Sequence, residues 1–134
     1  MKAKIGHIGI NLSSSKESLS FWKELCSFLG FKIIEDGDHF DAGDGQSYFC
    51  VSVADSAYKE RTFPRKSVGL NHIAFKVDTP QMVDNFVCDF LGPRKIEPLY
   101  GGAKEYPQYA EGYYAVFFED PDRIKIEVVC EPSN

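Results

Sequence analysis

The sequence lacks any long apolar run. None of its 134 residues belongs to a stretch approaching the ~18 consecutive apolar residues that a membrane-spanning helix needs. The first residues, Met1 to Lys4, lead into an alternating pattern instead of the apolar core of a signal peptide. We therefore expect a cytoplasmic protein that makes no membrane contact.

Cysteine is scarce and widely scattered. The chain has four cysteines, none of them in a C-x-x-C pair: Cys26, Cys50, Cys88 and Cys130. This spacing excludes a zinc knuckle and a dithiol redox motif, and it favours free thiols.

Positive charge is also in deficit. Fifteen basic residues stand against 20 acidic ones, giving a net charge of -5 and a sequence pI near 5.2. Such a chain is a poor general partner for nucleic acids or anionic membranes, so no nucleic-acid partner is expected. The basic residues between positions 59 and 66 are interpreted as a solvated loop.

What the chain does have is a core and an internal repeat. A hydrophobic content of 43% in 134 residues is enough for a single domain, predicted over residues 1–134. In residues 1–54, a strand carrying His7 precedes a helix that begins with the capping-box pair Ser14 and Glu17 and stops at Gly30. Three predicted strands follow: Phe31–Glu35, His39–Ala42 and Tyr48–Val53.

The same order begins again after a polar connection at residues 55–67. In residues 68–130, His72 stands in a His-Ile pair 65 positions after that of His7, and Thr79-Pro80 opens a second helix. The strands predicted for this half are Lys95–Leu99 and the two arms of a hairpin spanning residues 113–129. The repeat predicts an α+β fold in which two tandem βαβββ modules form a curled mixed sheet with a concave cup, with the helices on the outer face.

Three polar residues occupy predicted strands of this fold. Glu127 is a carboxylate in the middle of a strand, and a buried carboxylate needs a partner. His7 and His72 are the natural candidates, and His72 would lie beside Glu127 if their faces agree, because the first and last strands of a βαβββ unit can be neighbours. Two imidazoles and one carboxylate leave coordination positions open on Fe, Mn, Ni, Co or Zn. The alternative is that the histidines are hydrogen-bonded strand residues and that Glu127 forms a salt bridge with Lys125 of a neighbouring chain or with Arg123.

The repeat, the two His-Ile pairs and the ending FFEDPDRIKIEVV resemble the vicinal oxygen chelate superfamily, which includes glyoxalase I, bleomycin-resistance proteins, fosfomycin-resistance enzymes and extradiol dioxygenases. The resemblance covers essentially the whole chain. It implies a divalent metal held by His7, His72 and Glu127, a small-molecule substrate, and a homodimer whose subunits share the site.

Departures from the family pattern narrow the expected activity. The strand at residues 47–53 offers no carboxylate as a fourth ligand of the glyoxalase I type, and Phe117 stands where extradiol dioxygenases have a tyrosine. Bleomycin-type binders lack the metal ligands. We therefore expect a glyoxalase-like, metal-dependent lyase, isomerase or transferase that activates an oxygen-bearing substrate, such as a thiol conjugate or a xenobiotic, by bidentate chelation. A dimeric antibiotic- or metabolite-binding resistance protein without catalysis is the alternative, and an extradiol-type dioxygenase is less favoured.

Further site residues come from the strands and from the segment at residues 100–112, interpreted as a lid over the cup. Glu105 and Glu111 are candidate bases and Tyr106 a candidate hydrogen-bond donor, although a solvated loop with packed aromatics has the same pattern. His39 and Asp41 share a strand face and form a weaker candidate pair. The candidate substrate-binding residues are Cys50, Ser52, Tyr113 and Phe117.

Overall fold

The computed structural model describes residues 1–133 and contains the predicted repeat. The chain divides into two compact units, the first spanning Met1–Thr62 and the second beginning at Phe63. The boundary lies inside the predicted connection. On the second side of it, the Phe63 amide donates to the Asp122 carbonyl and Arg65 pairs with Glu119, which attaches the end of the connection to the second unit.

The first unit is a four-stranded mixed sheet with one helix. Its elements are β1 (His7–Leu12), α1 (Ser20–Phe28), β2 (Lys32–Asp36), β3 (His39–Gly43) and β4 (Tyr48–Val53). The strand order is β1-β4-β3-β2, with β1 parallel to β4 and the other pairs antiparallel. The first and last strands of the unit are therefore neighbours, as the sequence predicted.

Helix α1 and the wide helical turn before it cover one face of this sheet. Ser14 caps the turn, because its hydroxyl accepts hydrogen bonds from the amides of Glu17 and Ser18. The helix ends at Phe28, and Gly30 two residues later has a φ of 84°, a conformation that glycine adopts without strain. The core on this face consists of buried residues from the helix and the strands: Ile10, Leu12, Trp22, Leu25, Cys26, Phe40, Ala42 and Val51.

Burial in this core raises the pKa of the Cys26 thiol from 9.0 to about 12. A difference of about three units leaves Cys26 with roughly a thousandfold less thiolate than an ordinary cysteine near pH 8. We expect iodoacetamide to label exposed Cys88 in the native protein and Cys26 only after denaturation, which peptide mass spectrometry distinguishes. Because the neutral thiol is favoured by folding, its contribution to stability is complete below pH 9 and declines as the pH rises toward 12.

The second unit repeats the arrangement. Its elements are β5 (Ile73–Lys76), α2 (Pro80–Phe86), β6 (Lys104–Glu105), β7 (Tyr114–Glu119) and β8 (Lys125–Cys130). The strand order is β5-β8-β7-β6, in which β5 and β8 are parallel and neighbouring. Thr79 caps α2 by accepting the Met82 amide, and a wider turn at Val87–Leu91 prolongs the helix. In the core of this unit the ring of Phe86 lies 5.0 Å from that of Phe90 and 5.4 Å from that of Phe118 on β7.

The prediction of a strand at Lys95–Leu99 is wrong. Residues 92–95 form a turn in which Lys95 has a left-handed φ of 54°. The strand that follows α2 in this unit is instead the two-residue β6 at Lys104–Glu105. Pro98 lies within the segment and Pro93 two residues before it, and neither has the amide hydrogen that a ladder needs. The segment therefore does not form a strand, because these prolines cannot donate the backbone hydrogen bonds that a sheet requires.

Each sheet has one face that its helix covers and one face that it does not. In the first unit the second face carries His7, the odd residues of β3 and the even residues of β4. In the second unit it carries the side of β8 that holds Lys125 and Glu127, opposite the buried Ile126. The α+β class and the two tandem modules predicted from the sequence are thus confirmed.

Two observations concern the chain between residues 1 and 133 as a whole. No helix there is long and apolar enough to cross a membrane. The four cysteines are all free thiols, as expected from their spacing.

Candidate metal centre

His72 and Glu127 meet on the face of the second sheet that α2 leaves uncovered. Glu127 lies opposite Ala74 in the parallel pairing of β8 with β5, and His72 precedes β5 by one residue on the same face as Ala74. His72 Nε2 is 3.0 Å from Glu127 Oε2. The Glu127 side chain is only 1% exposed, so the carboxyl group is almost completely buried.

The His72 ring is oriented by its neighbour. Asn71 Oδ1 lies 2.7 Å from His72 Nδ1, and an amide oxygen can only accept, so Nδ1 carries a proton and donates it to Asn71. In the neutral ring this leaves a lone pair on Nε2, directed toward the side on which Glu127 lies. A histidine held in this way is the form that binds a metal.

The carboxylate of Glu127 is oriented in the same manner. The Tyr113 hydroxyl donates to Oε1 at 2.6 Å, while Oε2 accepts no hydrogen bond. Burial, followed by the hydrogen bond to Glu127, raises the pKa of Tyr113 well above its ordinary value, so the tyrosine remains a donor. Phe117 lies opposite Glu127 on β7 and presents its ring edge-on to His72, with centroids 5.9 Å apart.

This pair fits a divalent cation. The Nε2–Oε2 separation is within ion-pair range, yet the geometry places no hydrogen bond on Oε2. Of these two observations, the missing hydrogen bond is the more informative, because distance alone does not report direction. Two electron-rich atoms 3.0 Å apart need a shared proton or metal cation, and a neutral imidazole with a buried carboxylate is a donor set that Fe, Mn, Ni, Co and Zn all accept.

A cavity of about 400 Å³ opens onto the pair. Its lining consists of Asn71, His72, Tyr109, Tyr113, Phe117, Lys125 and Glu127. Lys125 supplies the positive charge there, because its Nζ lies 4.7 Å from the Phe117 ring centroid and 4.9 Å from that of Tyr100. The cavity therefore combines aromatic walls with one cation, an arrangement suited to a small ligand that carries negative charge.

Tyr106 closes the apolar part of this face. It is buried and packs with Ala115, Phe117 and Val129, and its ring stacks on Tyr109 at 5.5 Å. Its hydroxyl is buried without a hydrogen-bond partner. The segment interpreted as a lid thus contacts the sheet through its aromatic side chains. Burial is the larger cause of the raised pKa of Tyr106, and the nearby charge of Glu127 contributes to it.

The two candidate bases of this segment do not join the group. Glu105 is paired with Tyr114 across β6 and β7, and Tyr114 bonds Asp84 of α2 at 2.7 Å, so Glu105 is on the helix side of the sheet. Glu111 is exposed in a turn. Within the second unit, Tyr106, Tyr113 and Phe117 are therefore brought to the His72–Glu127 pair, and the two glutamates are not.

The remaining candidates lie in the first unit. His7 is on β1 opposite Tyr48 and stacks on its ring, with centroids 5.0 Å apart and planes inclined by 26°. Cys50 and Ser52 alternate with Tyr48 along β4, so all three share the face of His7. Cys50 lies between Gly9 and Asp41 in the pairing of the sheet.

Sequence reasoning missed two residues of this centre. Asn71 precedes His72 directly, and an amide beside a strand histidine is too common a pattern to be singled out. Lys125 was considered only as a salt-bridge partner of Glu127, although strand alternation already placed the two on one face. The sequence did contain a signal for Lys125, because it lies two residues before Glu127 on the same strand and therefore on the same face.

The chain is similar in sequence and in structure to several known proteins. The family model described as "Glyoxalase/Bleomycin resistance protein/Dioxygenase superfamily" matches residues 4–128. The uncharacterized protein YqjT of Bacillus subtilis (strain 168) is 32% identical over 125 residues, covering 92% of this chain and 96% of that protein. The crystal structure of a candidate glyoxalase from Bacillus halodurans superposes with a TM-score of 0.81 at 31% identity, covering 97% of each chain.

A more distant structure shares the fold alone. The genomically encoded fosfomycin resistance protein FosX from Listeria monocytogenes is 18% identical, with a TM-score of 0.68 and coverage of 98% of this chain and 96% of that one. Proteins with different named roles therefore share this architecture, and the choice of activity depends on the residues of the site.

Proposed function

Because the chain belongs to the Glyoxalase/Bleomycin resistance protein/Dioxygenase superfamily, we propose that it is a divalent-metal-dependent, glyoxalase-like enzyme acting on a small oxygen-bearing substrate. Members of this superfamily typically bind divalent metals. In the proposal His72 and Glu127 are two ligands and His7 is the third. His7 is supplied by the first unit of the same chain or of a second copy in a homodimer.

One observation carries the proposal. A buried carboxylate oxygen lies 3.0 Å from an imidazole nitrogen and accepts no hydrogen bond, while Asn71 and Tyr113 occupy the opposite ends of the two side chains. Leaving such an oxygen without a partner costs about 1–3 kcal/mol or more for a charged group. A bound cation removes that cost.

The residues around the pair suit electrophilic activation. A divalent ion held by His72 and Glu127 would act as a Lewis acid and polarise a substrate oxygen. Lys125 attracts an anionic substrate group into the cavity, and the aromatic side chains of its lining provide apolar contacts for the rest of the substrate. The Tyr106 hydroxyl has no hydrogen-bond partner among residues 1–133 and is available to donate a hydrogen bond to a ligand.

A binding protein without turnover is the second candidate. The aromatic lining of the cavity, with Tyr109, Tyr113 and Phe117, is the observation that favours it, since such walls retain a small molecule without any chemistry. In that case His72 and Glu127 form a proton-linked ion pair and no metal is required.

Metal analysis of the purified protein separates the two. After reconstitution with Fe, Mn, Ni, Co or Zn and gel filtration, the enzyme proposal requires that the wild type retain one more equivalent of metal than His72→Ala or His7→Ala does. Equal retention in the wild type and both variants, or no retained ion with any of these metals, would leave the binding protein.

A second prediction concerns the orienting amide. Asn71→Ala removes the acceptor of the His72 Nδ1 hydrogen bond, so the ring is free to rotate and to change tautomer, and we expect metal affinity to fall about 10- to 100-fold. Asn71→Asp keeps the oxygen at Oδ1 and should restore most of the affinity. The exposed helix residue Asn85 gives the matched control, Asn85→Ala, for which no change in affinity is expected.

Urea denaturation tests whether Asn71→Ala lowers metal affinity simply by destabilising the protein. The urea midpoint of the metal-free Asn71→Ala protein should equal that of the wild type, because Asn71 is an exposed residue outside the core. A parallel fall in affinity and midpoint would instead indicate a general loss of structure.

A further inference from the structure

The first unit holds a second group of metal-ligating side chains, on the face that α1 leaves uncovered. His39, Asp41 and Cys50 each offer one ligand atom, and these three atoms all lie within 4.8 Å of one another. His39 Nε2 is 2.9 Å from Asp41 Oδ1, and Cys50 lies opposite Asp41 in the pairing of β4 with β3. None of the three is fully buried, so an ion can reach them.

The internal repeat shows which residues of the second unit correspond to Cys50 and Asp41. In the second sheet Glu127 lies opposite the residue two positions after His72; in the first sheet Cys50 lies opposite Gly9, the residue two positions after His7. Cys50 is thus the counterpart of Glu127 in the first unit. The same comparison makes Asp41 the counterpart of Phe117, because Asp41 pairs with Cys50 as Phe117 pairs with Glu127.

The replacement gives the first unit two potential metal ligands at this pair of positions, where the second unit has one. Where the second unit has a carboxylate beside an apolar ring, the first has a thiol beside a carboxylate, with His39 adding an imidazole. A thiolate, an imidazole and a carboxylate are the three side-chain ligands that Zn²⁺ takes in proteins, and a three-ligand set leaves its fourth position open.

We propose that His39, Asp41 and Cys50 form a second metal site, selective for Zn²⁺ and using none of the side chains of the His72–Glu127 pair. Bond lengths of about 2.0 Å to nitrogen and oxygen and about 2.3 Å to sulfur place tetrahedral ligand atoms about 3.3–3.5 Å apart. The observed separations of at most 4.8 Å need only small rotamer changes to reach that arrangement. Binding replaces the thiol proton, so one Zn²⁺ enters as one H⁺ leaves from Cys50 Sγ.

A thiolate ligand provides a signature that the His72–Glu127 pair cannot produce. Co²⁺ substitutes for Zn²⁺ in tetrahedral sites, and a Co²⁺–thiolate bond adds a charge-transfer absorption in the near ultraviolet. The experiment titrates Co²⁺ into the full-length His72→Ala/Glu127→Ala protein. We expect the charge-transfer band to saturate at one equivalent, to be absent in the same protein carrying Cys50→Ala, and to disappear when Zn²⁺ displaces Co²⁺.

The control and the companion variants make the outcome decisive. Cys88→Ala removes an exposed thiol of the second unit and should leave the band unchanged. His39→Ala and Asp41→Asn should each weaken Co²⁺ affinity at least about 10-fold while Cys50 remains. Circular dichroism of each variant verifies that it is folded before titration.

Two results would overturn the proposal. One is a fully folded protein that shows no thiolate charge transfer at any Co²⁺ concentration, as expected if His39 and Asp41 are an ordinary hairpin ion pair. The other is a band that survives Cys50→Ala. Because the test is made without His72 and Glu127, neither result bears on the proposed catalytic ion, and failure of that ion leaves this test intact.

Discussion

Glu127→Gln should lower the affinity for a divalent metal at least about 100-fold, a larger loss than removal of an orienting neighbour produces. The change replaces the anionic ligand by a neutral amide of the same size. The substituted side chain retains an oxygen that can accept from the Tyr113 hydroxyl, so it should stay in place. Isothermal titration of the metal-free protein with Co²⁺ or Zn²⁺ measures the difference.

The matched control is Glu97→Gln, the same chemical change at an exposed position of the second unit. Its affinity should equal that of the wild type. The metal-free Glu127→Gln protein should also unfold at the wild-type urea concentration or above it, because it no longer buries a charge. Unchanged affinity in a folded Glu127→Gln protein would remove Glu127 from the ligand set.

Trp22→Ala should destabilise the protein by about 3–5 kcal/mol. Trp22 is fully buried between α1 and the first sheet, with its ring 6.3 Å from that of Phe49, so the substitution opens a cavity in the core of that unit. Folded domains are stable by about 5–15 kcal/mol, so most of the native population of the unit is at risk. Urea denaturation followed by circular dichroism gives the value.

Phe28 provides the comparison for Trp22, because it is an aromatic residue of the same helix and is 45% exposed. Phe28→Ala should cost no more than about 1 kcal/mol. If the two substitutions were equally costly, the packing of α1 on the sheet would not be the main source of stability in this unit.

The sequence alone was sufficient to predict that His72 and Glu127 meet. The repeat made β5 and β8 the first and last strands of a unit, and the period of two along β8 placed Glu127 on the face away from Ile126. Both inferences rest on backbone geometry that every strand obeys. Their agreement with the structure follows from the strength of these two patterns.

Contacts within the segment at residues 100–112 could not be predicted in the same way. The segment has no period, and its course depends on the left-handed Tyr100, with φ 57°, and on the short β6, which only tertiary pairing creates. For that reason Glu105 and Tyr106 looked equivalent in the sequence although they lie on opposite sides of the strand. The role of Asn71 was equally hidden, since it depends on one side-chain rotamer.

The equivalence of Cys50 and Glu127 in the two units could not be predicted from the sequence either. The two positions share no residue type, and the spacing from His7 to Cys50 differs from that between His72 and Glu127 because the segment at residues 100–112 lengthens the second unit. Only the strand registers reveal it. Where insertions change the spacing of a repeat, pairing partners identify equivalent positions and sequence distance does not.

The most direct test of the proposed metal centre is a crystal structure of the protein reconstituted with Co²⁺ or Zn²⁺, with anomalous diffraction recorded at the edge of that metal. We expect a peak about 2.0–2.2 Å from both His72 Nε2 and Glu127 Oε2, with His7 as a further ligand from the same or a second copy. A structure at full metal occupancy with no peak between these two atoms, and with an N–H···O hydrogen bond joining them instead, would contradict it.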